Sequence, residues 1–233
     1  MNPMFAASFT ETGPGDLLAG ERDKRRHARR AGRARAARVI SVASEGASCK
    51  RGEGGMSVHG RECADALLAD GATVTIRRAR PGDLATVRDM HAEMSPEHRY
   101  LRFFSMSPFA AEQEAHRVCR EPAPDHAALL AVLDGQVVGC ASYERAGAGC
   151  RSAEVAFAVA DGMYRRGIGT LLLRHLVLLA RSRGVRTFTA QTLRSNTAMQ
   201  RVFAGSGLPV QRSLADGIYD FTLLLPASGA DAA

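Results

Sequence analysis

Several arrangements that would settle the chemistry early are missing from these 233 residues. The five cysteines stand at positions 49, 63, 119, 140 and 150, with no CxxC pair, and none of the seven histidines belongs to an HExxH arrangement. An odd, widely spaced set of that kind makes neither a disulfide framework nor a zinc site. Free thiols in a reducing cytosol fit best, so no metal and a cytoplasmic location are expected; a Cys119/His126 metal or nucleophile pairing is the alternative. No window reaches the roughly 18 apolar residues of a membrane span, and no apolar run of signal-peptide length follows a charged start. Glu11, Asp16, Glu21 and Asp23 argue against a transit peptide. Also absent are a Walker loop (GxxxxGK[ST]), a GxGxxG turn and any internal repeat.

A hydrophobic content of 45% is ample for one sizeable core. The net charge of +7 is unevenly spread, because residues 1–58 hold 11 Lys/Arg against 6 Asp/Glu and the remainder 20 against 18. Within that first part, KRRHARRAGRARAAR (24–38) packs eight basic residues into fifteen, and the Gly/Ser-rich SEGASCKRGEGG follows. Neither stretch buries enough apolar surface to offset the entropy of ordering it. The expected division is a disordered basic extension at 1–58, a folded domain at 59–226 and a flexible tail at 227–233. The extension reads either as an arm for nucleic acid or another anionic surface, or as a non-functional segment ahead of a start at Met56. No aromatic residue interleaves with its charges, which favours the second reading.

From residue 73 the pattern is regular. TVTIRRA alternates like a strand, PGDLATVRDMHAEMS carries Pro81 at the start of a helix, RYLRFF (99–104) suits a short aromatic helix, and PFAAEQEAHRVC suits a third. HAALLAVLDGQVVGCASYERAG gives two strands about Asp134-Gly135, a hairpin signal. A strand at 152–160, a helix at 168–183, a strand at 185–192, a helix from Ser195 to Ala204 and two strands about ADGI complete the chain. The aromatics of RYLRFF read as packing groups rather than substrate contacts, the latter being the alternative, and Ile168, Leu171, Leu172, Leu176 and Leu179 form a core stripe.

The informative stretch is AEVAFAVADGMYRRGIGT (153–170), a strand running through an Arg/Gly turn into a helix. Such a helix start points free N–H groups and the positive end of its dipole beyond the strand, where phosphate is attracted. Gly167 and Gly169 let backbone approach a ligand, and Arg165 and Arg166 add charge. The plain alternative is a tight turn with solvated arginines.

With NTAMQRVFAGSGL (196–208) downstream, YRRGIGT resembles the acetyl-CoA pyrophosphate loop of the GNAT acetyltransferase superfamily, of the form Q/R-x-x-G-x-G/A. The resemblance covers residues 68–226. ADALLADGATVTIRRARPGDLATVRDMHAEMSPEHRYLRFF is similar, more narrowly, to bacterial protein lysine acetyltransferases of the Pat type. It implies an α/β (α+β) GNAT fold, with a central mixed, mostly antiparallel sheet splayed at the acetyl-CoA site and helices flanking it. It further implies acetyl-CoA as cosubstrate, held by the backbone of Phe157, Ala158 and Val159 and by Tyr164, Arg165, Arg166, Gly167, Ile168, Gly169, Thr170 and Asn196. Two positions depart from the pattern. Tyr164 stands where the motif has Gln or Arg, and Phe203 stands seven residues after Asn196, where many members have a tyrosine general acid. A thiolate whose parent thiol has a pKa of roughly 8.5 leaves without obligatory protonation, so the second departure is tolerable.

Transfer to a lysine needs a neutral amine, although a free lysine has a pKa of about 10.4. Strand alternation puts Glu154, Ala156 and Ala158 on one face, and Val155, Phe157 and Val159 on the other. Glu154 matches the glutamate general base of Pat-type enzymes, the alternative being a surface carboxylate at a strand start. The expected activity is acetyl transfer to an amine, most directly a protein lysine. A small-molecule amine acceptor and a non-catalytic acyl-CoA-sensing module are the rival readings, and no membrane contact is expected.

Overall fold

The structure, a computed structural model, describes residues 63–226 except Met106 and Ala148. The expected basic extension and C-terminal tail both lie outside the described residues.

The chain enters through β1 (Cys63–Leu67), which pairs antiparallel with β2 (Thr73–Arg78). A single 3-10 turn at Pro81–Asp83 leads into α1 (Leu84–Glu93). Arg77 clamps that turn with two bonds to Asp83, at 2.8 and 2.7 Å. Next come α2 (Pro96–Phe103) and α3 (Pro108–Val118), whose N-caps Ser95 and Ser107 accept from the backbone N–H of His98 and Phe109. The cap at Ser95 makes α2 begin three residues before the expected aromatic segment.

The long apolar strands follow. β3 (His126–Leu133) and β4 (Gln136–Glu144) are buried over most of their length, which their near-continuous apolar runs require of strands covered on both faces. Their hairpin turns on Asp134 and Gly135, at φ of 49° and 79°, the positive pair that a two-residue primed turn demands. Then come β5 (Ser152–Val159), α4 (Ile168–Ser182), β6 (Thr187–Leu193), α5 (Thr197–Ala204), β7 (Val210–Ala215) and β8 (Ile218–Leu224). The β7–β8 turn falls on Asp216-Gly217, again with positive φ at both.

All eight strands form one sheet in the order β1-β2-β3-β4-β5-β6-β8-β7. Every neighbouring pair is antiparallel except β5 and β6. On one face α4 lays Ile168, Leu171, Leu172 and Leu176 against Val155, Phe157 and Phe188, with Phe203 and Phe221 closing the cluster. On the other, Val87, Met90, Ala115 and Val118 from α1 and α3 pack on Ala128, Leu130, Cys140 and Ala158. Each face of β5 is thereby assigned, with Val155 and Phe157 under α4 and Glu154, Ala156 and Ala158 turned toward α1–α3.

Candidate active site

The parallel pairing of β5 with β6 lasts three residues, Ser152 with Thr187, Ala153 with Phe188 and Glu154 with Thr189. Pairing with β4 continues to Val159, so beyond Glu154 the sheet opens on one side only. The Ala160 N–H donates to the Val138 carbonyl at 3.0 Å. Alternation therefore turns the backbone groups of Val155, Phe157 and Val159 away from β4, toward the gap. A cleft of about 890 Å³ fills the opening, lined on one side by Glu154–Val159 and on the other by Ala190–Thr192 and the start of α5.

At the inner end of β5 the chain turns into α4. Gly167 is the N-cap at φ 94° and ψ 0°, with no side-chain cap. That region disfavours any residue with a Cβ. The first backbone bond of the helix runs from the Leu171 N–H to the Gly167 carbonyl at 3.0 Å, which leaves the N–H groups of Ile168, Gly169 and Thr170 free of helical partners, and all three residues line the cleft. Gly169 serves a packing purpose as well, since a Cβ there would stand 3.3 Å from Cγ2 of Val202 on α5.

The two arginines of the turn differ. Arg165, at φ 63°, is exposed and borders the cleft. Arg166 is engaged with the β1–β2 turn, where its guanidinium binds Asp70 at 2.7 Å and its carbonyl accepts from the Ala69 N–H at 3.3 Å. The β1–β2 hairpin thus braces the loop, and Arg166 acts there as a strut.

Tyr164 lines the cleft with its hydroxyl 3.1 Å from the Val159 carbonyl and 3.2 Å from Asp161 Oδ1. Burial, and then the charge of Asp161, push its phenol well above the usual range. Asp161 also accepts from the Ser95 N–H at 2.8 Å and faces His98 Nδ1 at 2.7 Å, while the His98 ring lies against Tyr164 with centroids 4.5 Å apart. Burial works to raise the Asp161 carboxyl, but the bonds from Ser95 and His98 outweigh it and hold the group below the usual carboxylate range. This knot fastens the start of α2 to the turn. His98 and Asp161 carry no motif, and only the pairing of two segments 63 residues apart reveals them.

Glu154 is exposed at the outer end of the cleft. Opposite it, Arg102 of α2 pairs with Glu114 of α3, whose side chain is only 6% exposed. Against the favoured reading of these aromatics as packing groups, Tyr100 and Phe104 are exposed, and Phe104 borders the cleft, as the alternative reading allows. Phe103 does pack, edge-on against His91 at 5.3 Å. Phe203 is buried between Phe157 and Phe221, at centroid distances of 6.1 and 5.0 Å. Asn196 caps α5 by accepting from the Met199 N–H at 3.0 Å.

The alternative Cys119/His126 pair is not assembled. Burial pushes the Cys119 thiol up to about 11, and its charged neighbours are Asp83 and Arg77, whereas His126 faces Glu144. Among the described residues no group of three or more His, Cys, Asp or Glu is placed to hold a metal ion, and no helix is long and apolar enough to cross a membrane.

A sheet split beside one strand, with an uncapped helix start and a carboxylate among the residues lining the split, is the arrangement that the sequence resemblance implies for acyl-CoA-dependent N-acyltransferases. Residues 87–207 match the model of the Acetyltransferase (GNAT) family, and the chain belongs to that family. Over 130 residues it is 33% identical to Acetyltransferase Pat of Mycolicibacterium smegmatis (strain ATCC 700084 / mc(2)155), a match covering 54% of this chain and 38% of that protein. Among solved structures, the GNAT domain of S. lividans PAT aligns with a TM-score of 0.64 at 33% identity, covering 70% of this chain and 97% of that one. The fold also matches a cAMP-binding acyltransferase from Mycobacterium smegmatis, with a TM-score of 0.51 at 24% identity, over 70% of this chain and 47% of that one. The chain therefore spans under half the length of these two mycobacterial relatives.

Proposed function

We propose that this chain transfers an acetyl group from acetyl-CoA to the side-chain amine of a protein lysine, with Glu154 as general base. One observation carries the reading: β5 parts from β6 immediately after Glu154, so a carboxylate stands where the cleft opens. The free N–H groups at the start of α4 suit a pyrophosphate, and the outward backbone groups of Phe157 and Val159 suit the amides of a pantetheine arm. One of those N–H groups would stabilise the oxyanion that develops on the thioester oxygen. Glu154 would take the proton that a lysine ammonium must lose before its nitrogen attacks the carbonyl carbon. Exposed Phe104 at the cleft favours an acceptor larger than a free small amine, and the similarity to Pat supports a protein.

A second reading, an acyl-CoA-sensing module without turnover, draws on Phe203 in place of a tyrosine. The two are separated by incubating the chain with acetyl-CoA and a panel of lysine peptides, intact proteins and small amines, reading thiol release and acceptor mass. Transfer to lysine side chains is expected. Cofactor binding without transfer to any acceptor would support the sensing module and overturn the enzyme.

A further inference from the structure

One row of residues crosses the sheet on the face toward α1–α3. In register, His126 of β3 stands beside Glu144 of β4, Glu144 beside Glu154 of β5, and Glu154 beside Thr189 of β6. Directly opposed residues share a face with Cβ atoms about 4.5–5.5 Å apart, and like charges so placed repel. Glu144 and Glu154 are such a pair.

The charges around them are not all paired. Glu114 is held by Arg102 and, at 3.3 Å, by Arg117, and the same Arg117 places Nε 3.4 Å from Glu144 Oε1. Two guanidinium groups thus serve Glu114 and Glu144, and among the described residues Glu154 has no ion-pair partner. Of the three carboxylates Glu154 alone is left without one; Arg183, whose guanidinium bonds the His126 carbonyl at 2.8 Å, pairs with none of them. Arg120 and Asp125 nearby pair with each other at 3.6 Å and leave Glu154 unpaired. His126 does not supply the missing charge either. Its side chain is 2% exposed with Nδ1 3.6 Å from Glu144 Oε1, neither ring nitrogen has a hydrogen-bond partner, and burial pushes it down to about 4. Glu144 Oε1 is itself buried without a hydrogen bond, although the side chain as a whole is 37% exposed. The row therefore holds a repelling carboxylate pair, unmet acceptor capacity and an unpartnered buried imidazole directed at it.

Building on the acetyltransferase reading above, we infer that Glu144 and Glu154 together seat the acceptor as a primary ammonium, Glu144 as its counter-ion and Glu154 as the group that takes its proton. An ammonium carries three donors on one positive centre, which suits two adjacent carboxylates of which Glu154 has no ion-pair partner among the described residues. The balance is simple. One ammonium proton passes to Glu154, the freed nitrogen lone pair forms the C–N bond, and the C–S bond breaks with its electron pair on sulfur. The second nitrogen proton ends on the thiolate, and the proton on Glu154 returns to solvent. Glu144, beside Arg117, holds the incoming side-chain end in place.

The test is steady-state kinetics on the full chain, with acetyl-CoA saturating and a lysine peptide from the panel as acceptor, for Glu144→Gln, Glu144→Asp and Glu154→Gln. Glu144→Gln should raise the acceptor KM about tenfold or more, the worth of one charge-assisted hydrogen bond, with kcat within about threefold of the parent. Glu144→Asp keeps the charge and should recover most of that loss. Glu154→Gln should show the opposite split, a fall in kcat. Calorimetric titration of the CoA-saturated chain with Nα-acetyl-lysine methylamide gives a readout free of turnover, and Glu144→Gln should weaken it in proportion. An acceptor KM and a titration unchanged in a folded Glu144→Gln protein would overturn the role of Glu144 while leaving the acetyltransferase reading intact. Absence of transfer by the parent chain would instead remove the reading on which the role rests.

Discussion

Glu154 and Thr189 face each other at the last rung that β5 and β6 share. Past that rung the two strands no longer satisfy each other's backbone groups, and buried main-chain groups left unpaired cost free energy comparable to a lost hydrogen bond. The groups freed on β5 line the cleft, where solvent or a ligand can pair with them. The carboxylate at the final rung and the glycine turn beyond the other end of β5 are therefore joined by one strand, an arrangement that suits the proposed transfer.

The two glycines of the turn should respond differently. Gly167→Ala meets nothing within 4 Å, so its cost is the φ of 94° alone, about 1–2 kcal/mol. It should weaken acetyl-CoA binding by displacing the free N–H groups. Gly169→Ala keeps helical geometry but presses on Val202, and should lower the melting temperature by forcing α5 outward a few tenths of an ångström. Calorimetry with acetyl-CoA beside thermal unfolding distinguishes the two, and identical behaviour would contradict the separate roles.

Phe203→Tyr would restore the residue found at this place in many family members. Phe203 is 1% exposed and packed between two phenylalanines, so a hydroxyl added there without a partner costs about 1–3 kcal/mol. Because a thiolate leaves unaided, turnover is expected to stay within about threefold of the parent. A tenfold rise in kcat would show that protonation of the leaving group limits the reaction.

Acid should destabilise the domain before its carboxylates titrate. His91 and His126 are buried and held down to about 4 by burial first, with the charges of Arg102 and Arg120 adding to it. An unfolded histidine has a pKa of about 6.5, so between roughly pH 6.5 and 4 the unfolded chain binds more protons than the folded one. The stability these groups provide is complete above that window and is lost as pH falls through it. Chemical denaturation from about pH 7.5 to 4.5 should show the decline, and His91→Gln, though weaker at neutral pH, should show a shallower one. A flat profile in the parent would refute the assignment.

Much of the fold was legible because its signals are local. Asp134-Gly135 and Asp216-Gly217 are turn residues of the kind a hairpin needs, and the stripe from Ile168 to Leu176 repeats at helical spacing. β1 was not legible, since CADAL buries only Ala66 along its edge and carries no alternation to read. The alternation of Glu154 with Val155 and Phe157 in sequence correctly divides the two faces of β5. What the sequence did not disclose depends on distant segments meeting. That Arg166 binds Asp70, 96 residues away, is visible only in the fold. His98 with Asp161, and Glu144 with Glu154, become pairs only through tertiary and cross-strand register.

The most direct test of the account is the pH–rate profile of Glu154→Gln against the parent, with a lysine peptide acceptor and acetyl-CoA affinity measured in parallel. The substitution keeps the shape of the side chain and removes the proton acceptor, so turnover should fall by about 10²–10⁴ while acetyl-CoA affinity is retained. Raising the pH from about 6 to 9 should partly restore the variant, because more of the acceptor amine is then already neutral. Parental turnover in the variant across that range would mean that another group takes the proton, and Glu154 would have to be abandoned as the base.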